Sequence, residues 1–198
     1  MTFTRREARA RELRSIITKP HESWLQSDDM REWVGVTLGN DGLAVLLNFD
    51  GWFPGTVHFS RLPPSLVALE IFSDLDHRIV FTALPPTLEW LEVSYTQPLV
   101  AVDLTHLPPR MWHLGLNNNE CAGSVDLTQL PSSMERLKLS RNRFSGPLDL
   151  TRLPANVEEF VPSRESVQRF GGSHTPTKLT ESTDSRQQRI HWHRGPDP

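Results

Sequence analysis

Residues 130–151 read LPSSMERLKLSRNRFSGPLDLT, and residues 107–128, LPPRMWHLGLNNNECAGSVDLT, align with them position by position. Leu-Pro pairs mark the same unit along the chain at intervals of 22, 23, 23 and 23 residues: Leu62-Pro63, Leu84-Pro85, Leu107-Pro108, Leu130-Pro131 and Leu153-Pro154. Unrelated prolines would not keep one period, so the pairs belong to an internal repeat.

Each unit predicts one short strand followed by a turning return. Leu137 and Leu139 alternate with polar residues, as on a strand with one buried face. A Leu-Pro turn cannot extend that strand, because proline lacks the N–H and fixes φ. Since no unit can bury its leucines alone, the units must stack into one solenoid with parallel strands.

Equivalent positions in successive units form columns along the array. The predicted core column is Leu66, Leu88, Met111, Met134 and Val157. The predicted core on the return side is Val102, Val125, Leu148, Leu104, Leu127 and Leu150. A polar column, expected to hydrogen-bond the backbone where the chain turns after each strand, is Asp74, Thr96, Asn119 and Asn142. The intervening Asp103, Asp126 and Asp149 are expected to face solvent.

An irregular unit precedes Leu62. Residues 53–59 match residues 144–150 position for position, so the strand of this unit is predicted at Val45-x-Leu47. Asp50 then takes the asparagine position, with one residue inserted. The array has about five units and a degenerate sixth one at 156–162.

The pattern Leu-x-x-Leu-x-Leu-x-x-Asn, with conservative exchanges, resembles the leucine-rich repeat family over roughly residues 24–161. The phrase from Asn142 to Leu150 is similar to that of plant-type repeats, and Leu-Asp-Leu-Thr-x-Leu-Pro looks like repeats common in protozoa. The resemblance implies an α/β fold: a curved, right-handed solenoid with a parallel sheet on its concave face. It also implies short turns or second strands on the convex side and an N-terminal helical cap.

Three segments follow from this pattern: a helical cap at 1–42, the solenoid at 43–162 and a disordered polar tail at 163–198. A helix is expected over about 4–18, with Leu13, Ile16 and Ile17 on its apolar face and Pro20 ending it. The tail shows no clear periodicity and is rich in Ser, Thr, Gln and Arg.

Residues 24–38, with Trp24, Trp33 and Val34-Gly-Val-Thr37, resemble the cap of plant-type repeat proteins, whose phrase is Cys-x-Trp-x-Gly-Val-x-Cys. Arg31 and Leu38 stand at the two cysteine positions, so the cap disulfide that the resemblance implies is missing. Extracellular proteins rely on such bridges, so we expect a cytoplasmic, intracellular protein.

The N-terminus supports the same expectation. It has five arginines in its first fourteen residues but no apolar stretch of a secretory signal. A mitochondrial presequence stays open, although Glu7 and Glu12 oppose it, because such segments avoid acids. The longest strongly apolar run, 43–47, is far below the roughly 20 residues of a membrane helix.

Length and charge narrow the function classes. The chain has 198 residues, which predicts one domain or one domain with a tail. Its formal net charge of −3 argues against generic binding to nucleic acid or anionic membranes, which needs excess cations. One cysteine excludes an internal disulfide and a multi-cysteine metal site.

Catalytic and metal-binding patterns are weak. Cys121 lies at an inward position and predicts a buried thiol. His191-Trp-His193 lacks a further ligand, and the column of aspartates reads as solvated turn residues rather than a cation site. The sequence has no phosphate loop, no Gly-x-Ser-x-Gly and no His-Glu-x-x-His. We therefore expect no enzyme, no cofactor and no metal.

The open face of the strands carries varied side chains and is the predicted binding surface. Glu70 and Glu92 make one end acidic, and a basic patch makes the other end positive. Trp90 and Tyr95, expected to be exposed, lie between them, and Trp, Tyr and Arg dominate binding energy at protein interfaces. The predicted partner-binding residues are Glu70, Phe72, Trp90, Glu92, Tyr95, His113, Asn117, Asn118, Arg136, Lys138 and Arg141.

The predicted function is a non-enzymatic scaffold or recognition module that binds a protein partner, as a monomer or as a subunit of a complex. One alternative is an accessory subunit of a ribonucleoprotein or other large complex. Direct RNA binding is opposed by 8 Lys and Arg against 13 Asp and Glu over 43–162. The other alternative is a cell-surface recognition protein.

Overall fold

The computed structural model describes residues 4–50, 55–72, 79–95, 102–146, 149–157, 159–161, 179–181 and 188–191. The two α-helices in this part of the chain are α1 (Arg5–Arg14) and α2 (Glu22–Gln26). The strands are β1 (Val36–Leu38), β2 (Ala44–Asp50), β3 (Ala68–Phe72), β4 (Trp90–Ser94), β5 (His113–Gly115), β6 (Ala122–Gly123), β7 (Arg136–Lys138), β8 (Arg143–Phe144), β9 (Glu159–Val161), β10 (Leu179–Glu181) and β11 (Gln188–His191).

The large sheet has the order β1-β2-β3-β4-β5-β7-β9-β11-β10, and its six strands from β2 to β9 are parallel. Its register follows the sequence repeat: the partners in adjacent strands are Leu47, Leu69, Leu91, Leu114, Leu137 and Phe160. A second, two-stranded parallel sheet joins β6 to β8. The predicted stacking of parallel strands into a solenoid is confirmed.

The predicted columns form one continuous core. All members of the first column, from Leu66 to Val157, are buried. On the return side Val102, Leu104, Val125 and Leu127 are buried, Leu150 is half-buried, and Leu148 lies outside the described residues. Burying one such side chain contributes roughly 1.5–3 kcal/mol, so the columns supply most of the stabilisation of each coil.

The first repeat differs from its predicted alignment. The buried pair of β2 is Leu47 and Phe49, in register with Leu69 and Ile71, whereas Val45 is only half-buried. Asp50 pairs in register with Phe72, so it does not take the asparagine position. The spacing of this unit departs from the repeat period, so the sequence alone did not fix its alignment. Both Val45 with Leu47 and Leu47 with Phe49 fit the alternating apolar pattern of a strand.

The polar column binds backbone groups inside the solenoid, as predicted. Asn119, fully buried, donates from Nδ2 to the Val93 carbonyl at 2.6 Å. Asn142 donates to the Leu116 carbonyl at 2.5 Å and accepts from the Cys121 N–H at 2.9 Å. The column therefore joins each coil to the preceding one; its other predicted members, at positions 74 and 96, lie outside the described residues.

A second row of polar side chains also connects coils. Ser65 donates to the Ala44 carbonyl at 2.7 Å, and Thr87 donates to that of Leu66 at 2.7 Å. Ser133 repeats the contact two coils further on, where it donates to the Met111 carbonyl at 2.8 Å. Asn156 donates to the Ser132 carbonyl at 3.2 Å. Every one of these side-chain donors bonds a carbonyl that lies earlier in the chain.

The three aspartates of the return side are exposed and cap tight turns, as expected for solvent-facing residues. The carboxylate of Asp126 accepts from the hydroxyl and the N–H of Thr128, at 2.6 and 2.8 Å. Asp103 and Asp149 make the same pair of bonds with the threonine two residues on. These hydrogen bonds lower the pKa of each of the three carboxyls.

The N-terminal segment begins with a helix that is shorter than predicted. Thr4 and Glu7 form a capping box, and α1 ends at Arg14 rather than near residue 18. Ile16 and Ile17 are buried beyond the helix end, because Ile17 forms a β-bridge with Val57, which requires extended backbone. Pro20 therefore follows the helix at a distance and does not end it.

Two buried tryptophans organise the rest of this segment. Trp24 and Trp33 stack with ring centroids 4.8 Å apart. Their indole N–H groups donate to the carbonyls of Val34 and Ser27 at 2.9 and 2.8 Å. Both rings belong to the same hydrophobic cluster as the repeat columns, so this segment and the solenoid share one core.

The segment 163–198, predicted to be a disordered tail, contains β10 and β11. They pair antiparallel with each other, and β11 pairs antiparallel with β9, with Ile190 opposite Phe160. The last repeat strand exposes unpaired backbone groups, and a strand added there satisfies them. No helix in the described part of the chain has the length and apolar character needed to cross a membrane.

Candidate functional site

The side chains that alternate with the buried leucines of β2 to β7 point away from the core, and we call this surface the outer sheet face. One row, in register across the strands, contains Ala68, Trp90, His113 and Arg136; the next contains Asn48, Glu70, Glu92, Gly115 and Lys138. The sheet thus brings together the predicted binding residues of four coils, although their role in binding stays a prediction.

The acidic end of the outer sheet face is hydrogen-bonded across strands. Glu70 accepts at Oε2 from the Asn48 amide at 2.7 Å. Phe72 is half-buried and lies in register with Ser94. Both side chains therefore keep part of their surface open to solvent.

His113 differs from its prediction as an exposed binding residue, because its side chain is only 1% exposed. Its ring stacks on that of Trp90, with centroids 3.6 Å apart and planes 5° apart. Trp90 in turn is half-buried rather than exposed. Two large rings on neighbouring strands cover each other, which removes most of their surface from water.

Glu92 fixes the histidine ring from the next row. Its Oε2 lies 2.7 Å from Nε2 of His113, and its Oε1 accepts from the Ser94 hydroxyl at 3.3 Å. The carboxylate reaches the histidine by lying over Gly115, where a Cβ would be 2.5 Å from Oε1 and closer still to Oε2. The absence of a side chain at Gly115 therefore makes the Glu92–His113 contact possible.

Two polar atoms in this cluster are buried without a hydrogen-bond partner among the described residues: Nε1 of Trp90 and Nδ1 of His113. The sequence-based prediction also missed Trp112. Its ring lies edge-on to Trp90 at 5.0 Å, and the Arg136 guanidinium lies over it at 5.7 Å from the centroid. Its position just before a predicted strand was the available signal.

A row of residues with left-handed backbone follows the strands. Tyr95, Asn118 and Arg141, spaced by 23 residues, have φ values of 63°, 58° and 53°. The Tyr95 N–H donates to the Asn118 carbonyl at 3.2 Å, and Nη1 of Arg141 donates to Oδ1 of Asn118 at 3.1 Å. The ring of Tyr95 is 57% exposed, so this aromatic side chain stands at the rim of the outer sheet face.

Asn117, the residue before Asn118, accepts hydrogen bonds from the next coil. Its Oδ1 accepts from both the N–H and the hydroxyl of Ser140, at 3.0 and 2.7 Å. The side-chain oxygen of Asn117 is thus used in bonds within the fold, although the residue keeps part of its surface open to solvent. Of the predicted binding residues, Tyr95 and Arg141 are the most exposed ones.

The other residues considered in the sequence as possible nucleophiles or metal ligands do not form a site among the described residues. Cys121 is buried, as predicted. Within the described ranges, no three or more His, Cys, Asp or Glu side chains gather in a way that could hold a metal ion. Of the pair His191 and His193, the second lies outside the described residues.

Three solved structures resemble this chain. A plant ice-binding protein has a TM-score of 0.58 and 24% identity, over 72% of this chain and 49% of that one. The BIR2 ectodomain from Arabidopsis thaliana has a TM-score of 0.54 and 18% identity, over 79% and 88%. The BIR3–SERK2 complex from the same plant gives 0.48 and 18%, over 76% and 86%.

These likenesses concern the fold. The chain is a parallel-sheet solenoid. It spans about half the length of the plant ice-binding protein. No protein-family model matches the sequence, and no curated protein matches it either.

Proposed function

We propose that the chain is a leucine-rich repeat module, capped by its N-terminal segment, that binds a protein partner on the outer sheet face and catalyses no reaction. The 23-residue period, the buried leucine columns and the asparagines that bond the preceding coil support the assignment to this repeat type. The binding role rests on the rim of the sheet.

The conformation of Tyr95 carries the proposal. Left-handed backbone costs a residue with a side chain roughly 1–2 kcal/mol, and Asn tolerates it best after Gly. The next coil has Asn118 at this position, whereas this coil keeps a tyrosine with an exposed ring. Strain of this kind collects at functional sites, and an exposed tyrosine on the same surface as a basic patch is typical of a protein interface.

The charges of the outer sheet face indicate the character of the partner. Glu70 lies at one end, and Arg136, Lys138 and Arg141 lie at the other. A partner with the opposite order of charges would be held in one orientation, because like charges brought together are unfavourable. The half-buried Trp90 between them adds apolar surface.

The first experiment replaces Tyr95 by Asn. We expect the free energy of unfolding to rise by about 0.5–1 kcal/mol, because asparagine relieves the left-handed strain. We also expect the variant to lose proteins that the wild-type chain captures from cell extract, measured by quantitative mass spectrometry. Capture that equals the wild type, together with the gain in stability, would contradict the proposed role of the tyrosine.

A second experiment reverses charges. The variant Arg136→Glu, Lys138→Glu and Arg141→Asp uses aspartate at the left-handed position because it tolerates that backbone. The matched control reverses three exposed cations outside the large sheet: Lys19→Glu, Arg143→Glu and Arg152→Glu. Loss of captured proteins in the first variant alone supports the outer sheet face; equal loss in both, with unchanged circular dichroism, speaks against it.

The two alternatives make different predictions. An accessory subunit of a ribonucleoprotein complex would be captured with RNA, and its capture would be sensitive to ribonuclease and to salt. A cell-surface recognition protein would be found outside the cell in fractionation. The cytoplasmic location stays a prediction that the same fractionation tests.

A further inference from the structure

A groove of about 660 Å³ lies at the first edge of the large sheet, away from the outer sheet face. Its walls are the start of α1, the turn that begins at Asp29, and β1 with the turn after it. Four arginines line it, Arg5, Arg6, Arg9 and Arg31, against a single acidic residue, Asp29.

The one carboxylate neutralises only part of this charge. Asp29 pairs with Arg6 and with Arg31, whose hydrogen bond helps lower the pKa of Asp29 to about 2. Arg9 donates to the Asp41 carbonyl at 3.2 Å, and neither Arg9 nor Arg5 forms an ion pair within the described part of the chain. The groove therefore keeps a positive charge that an anionic group can meet.

The groove also exposes a strand edge. β1 is the terminal strand of the sheet and pairs antiparallel with β2 on one side, while no described strand pairs with its other side. Val36, Thr37 and Leu38 all line the groove. The Val36 N–H already donates to the Trp33 carbonyl at 3.2 Å, and the remaining outward backbone groups of β1 offer the donors and acceptors that an added strand uses.

We propose that this groove binds an extended, acidic segment of a protein partner, which adds to β1 as a further strand and places its carboxylates against Arg5 and Arg9. Backbone hydrogen bonds supply affinity in this mode of recognition, and side chains supply specificity. Nucleic acid meets the charge but cannot continue a sheet, because it lacks the alternating peptide groups. This second site does not depend on binding at the outer sheet face.

The test measures fluorescence anisotropy of a labelled peptide in which Glu and Asp alternate with Val and Thr, added to the full chain. Two kinds of control peptide separate the contribution of charge from that of backbone hydrogen bonds. One carries Gln and Asn in place of the acids. The other keeps the acids and carries N-methyl groups on alternate residues, in one version on the odd-numbered residues and in a second version on the even-numbered ones. We expect each change to weaken binding roughly tenfold or more. Added salt should weaken the peptides that carry the acids, but not the peptide with Gln and Asn.

Protein variants locate the site. Arg5→Glu with Arg9→Glu should weaken the acidic peptide about tenfold, whereas the matched reversal Lys19→Glu with Arg152→Glu should leave its affinity unchanged. Hydrogen exchange of the β1 amides should slow when the peptide binds. These results together would establish strand addition at β1.

Three results would overturn the proposal. The first is equal affinity for the methylated and unmethylated acidic peptides. The second is a single-stranded RNA oligonucleotide that binds more tightly than the peptide and depends on the same two arginines. The third is peptide binding that is lost in the outer-face variant but kept in Arg5→Glu with Arg9→Glu. If the arginine variant unfolds, the methylated peptides still decide the question on the wild-type chain.

Discussion

Gly115→Ala is the sharpest test of the histidine cluster on the outer sheet face. The backbone of Gly115 is not in the left-handed region, so alanine is allowed there by conformation. The nearest atoms to an added Cβ all belong to the Glu92 carboxylate. This carboxylate ends a flexible side chain and can move away, so the main cost of the substitution is the contact that Glu92 then loses.

That contact is the 2.7 Å hydrogen bond between Glu92 and His113. His113 is fully buried and its Nδ1 already lacks a partner, so moving Glu92 leaves both ring nitrogens unsatisfied. An unpaired buried polar group costs about 1–3 kcal/mol. Replacing glycine by alanine in a strand raises the free energy of unfolding by roughly 0.5–1 kcal/mol. We therefore expect Gly115→Ala to lower the free energy of unfolding by about 1–2 kcal/mol in total.

The assay is a double-mutant cycle followed by urea unfolding with circular dichroism. Wild type, Gly115→Ala, Glu92→Ala and the double variant are compared. Without the carboxylate, alanine at position 115 should no longer destabilise and should gain up to about 1 kcal/mol. The coupling energy between the two sites should therefore be about 1–3 kcal/mol.

The cycle has a clear negative result. If Gly115→Ala costs the same in both backgrounds, the added methyl group meets the backbone or a neighbouring strand rather than Glu92. If Gly115→Ala stabilises the wild-type chain, the bond between Glu92 and His113 contributes nothing. Either result would refute the role assigned here to the missing side chain.

Three further predictions concern the bonds between coils and the turns. Asn142→Ala should lower the free energy of unfolding by about 2–3 kcal/mol, because two buried backbone groups lose their partner, whereas the exposed Arg143→Ala should change little by urea titration. Ser133→Ala should cost about 0.5–1.5 kcal/mol, against no measurable change for the exposed Ser132→Ala by calorimetry. The lowered pKa of Asp126 means that its contribution is complete above its unfolded pKa, near 4, and is lost as pH falls through the folded value. The thermal midpoint of Asp126→Asn should therefore fall less between pH 5 and pH 2 than that of the wild type, and an equal fall would contradict this.

The sequence was sufficient to predict the register of the sheet between the regular repeats. Leu114 and Leu137 occupy the same place in units 23 residues apart, and a solenoid puts such residues side by side. The same argument correctly predicted that Cys121 is buried and that the side chain of Asn142 hydrogen-bonds the backbone. The first repeat was misaligned because its spacing departs from the period, so two frames fitted its apolar residues.

The outer sheet face was less predictable because its arrangement depends on contacts between adjacent coils. The burial of His113 requires a large ring at Trp90, a carboxylate at Glu92 and no side chain at Gly115. Each residue alone fits a solvent-facing position in a strand. Only their combination covers the histidine, and a column read one position at a time does not reveal it.

The side-chain donors that bond backbone carbonyls of another coil all point to an earlier coil, and this gives the solenoid a polarity like that of a growing polymer. Each coil brings its own donors, such as Asn119 and Asn142, to carbonyls that the coil before it already presents. Carbonyls tolerate a missing partner better than amide groups do. For these bonds, removing coils from the C-terminal end leaves carbonyls without a partner, whereas removing coils from the N-terminal end leaves side-chain donors without one. Because a ribosome synthesises the chain from its N-terminus, the coil that carries the carbonyl acceptors is made before the coil that carries the side-chain donors.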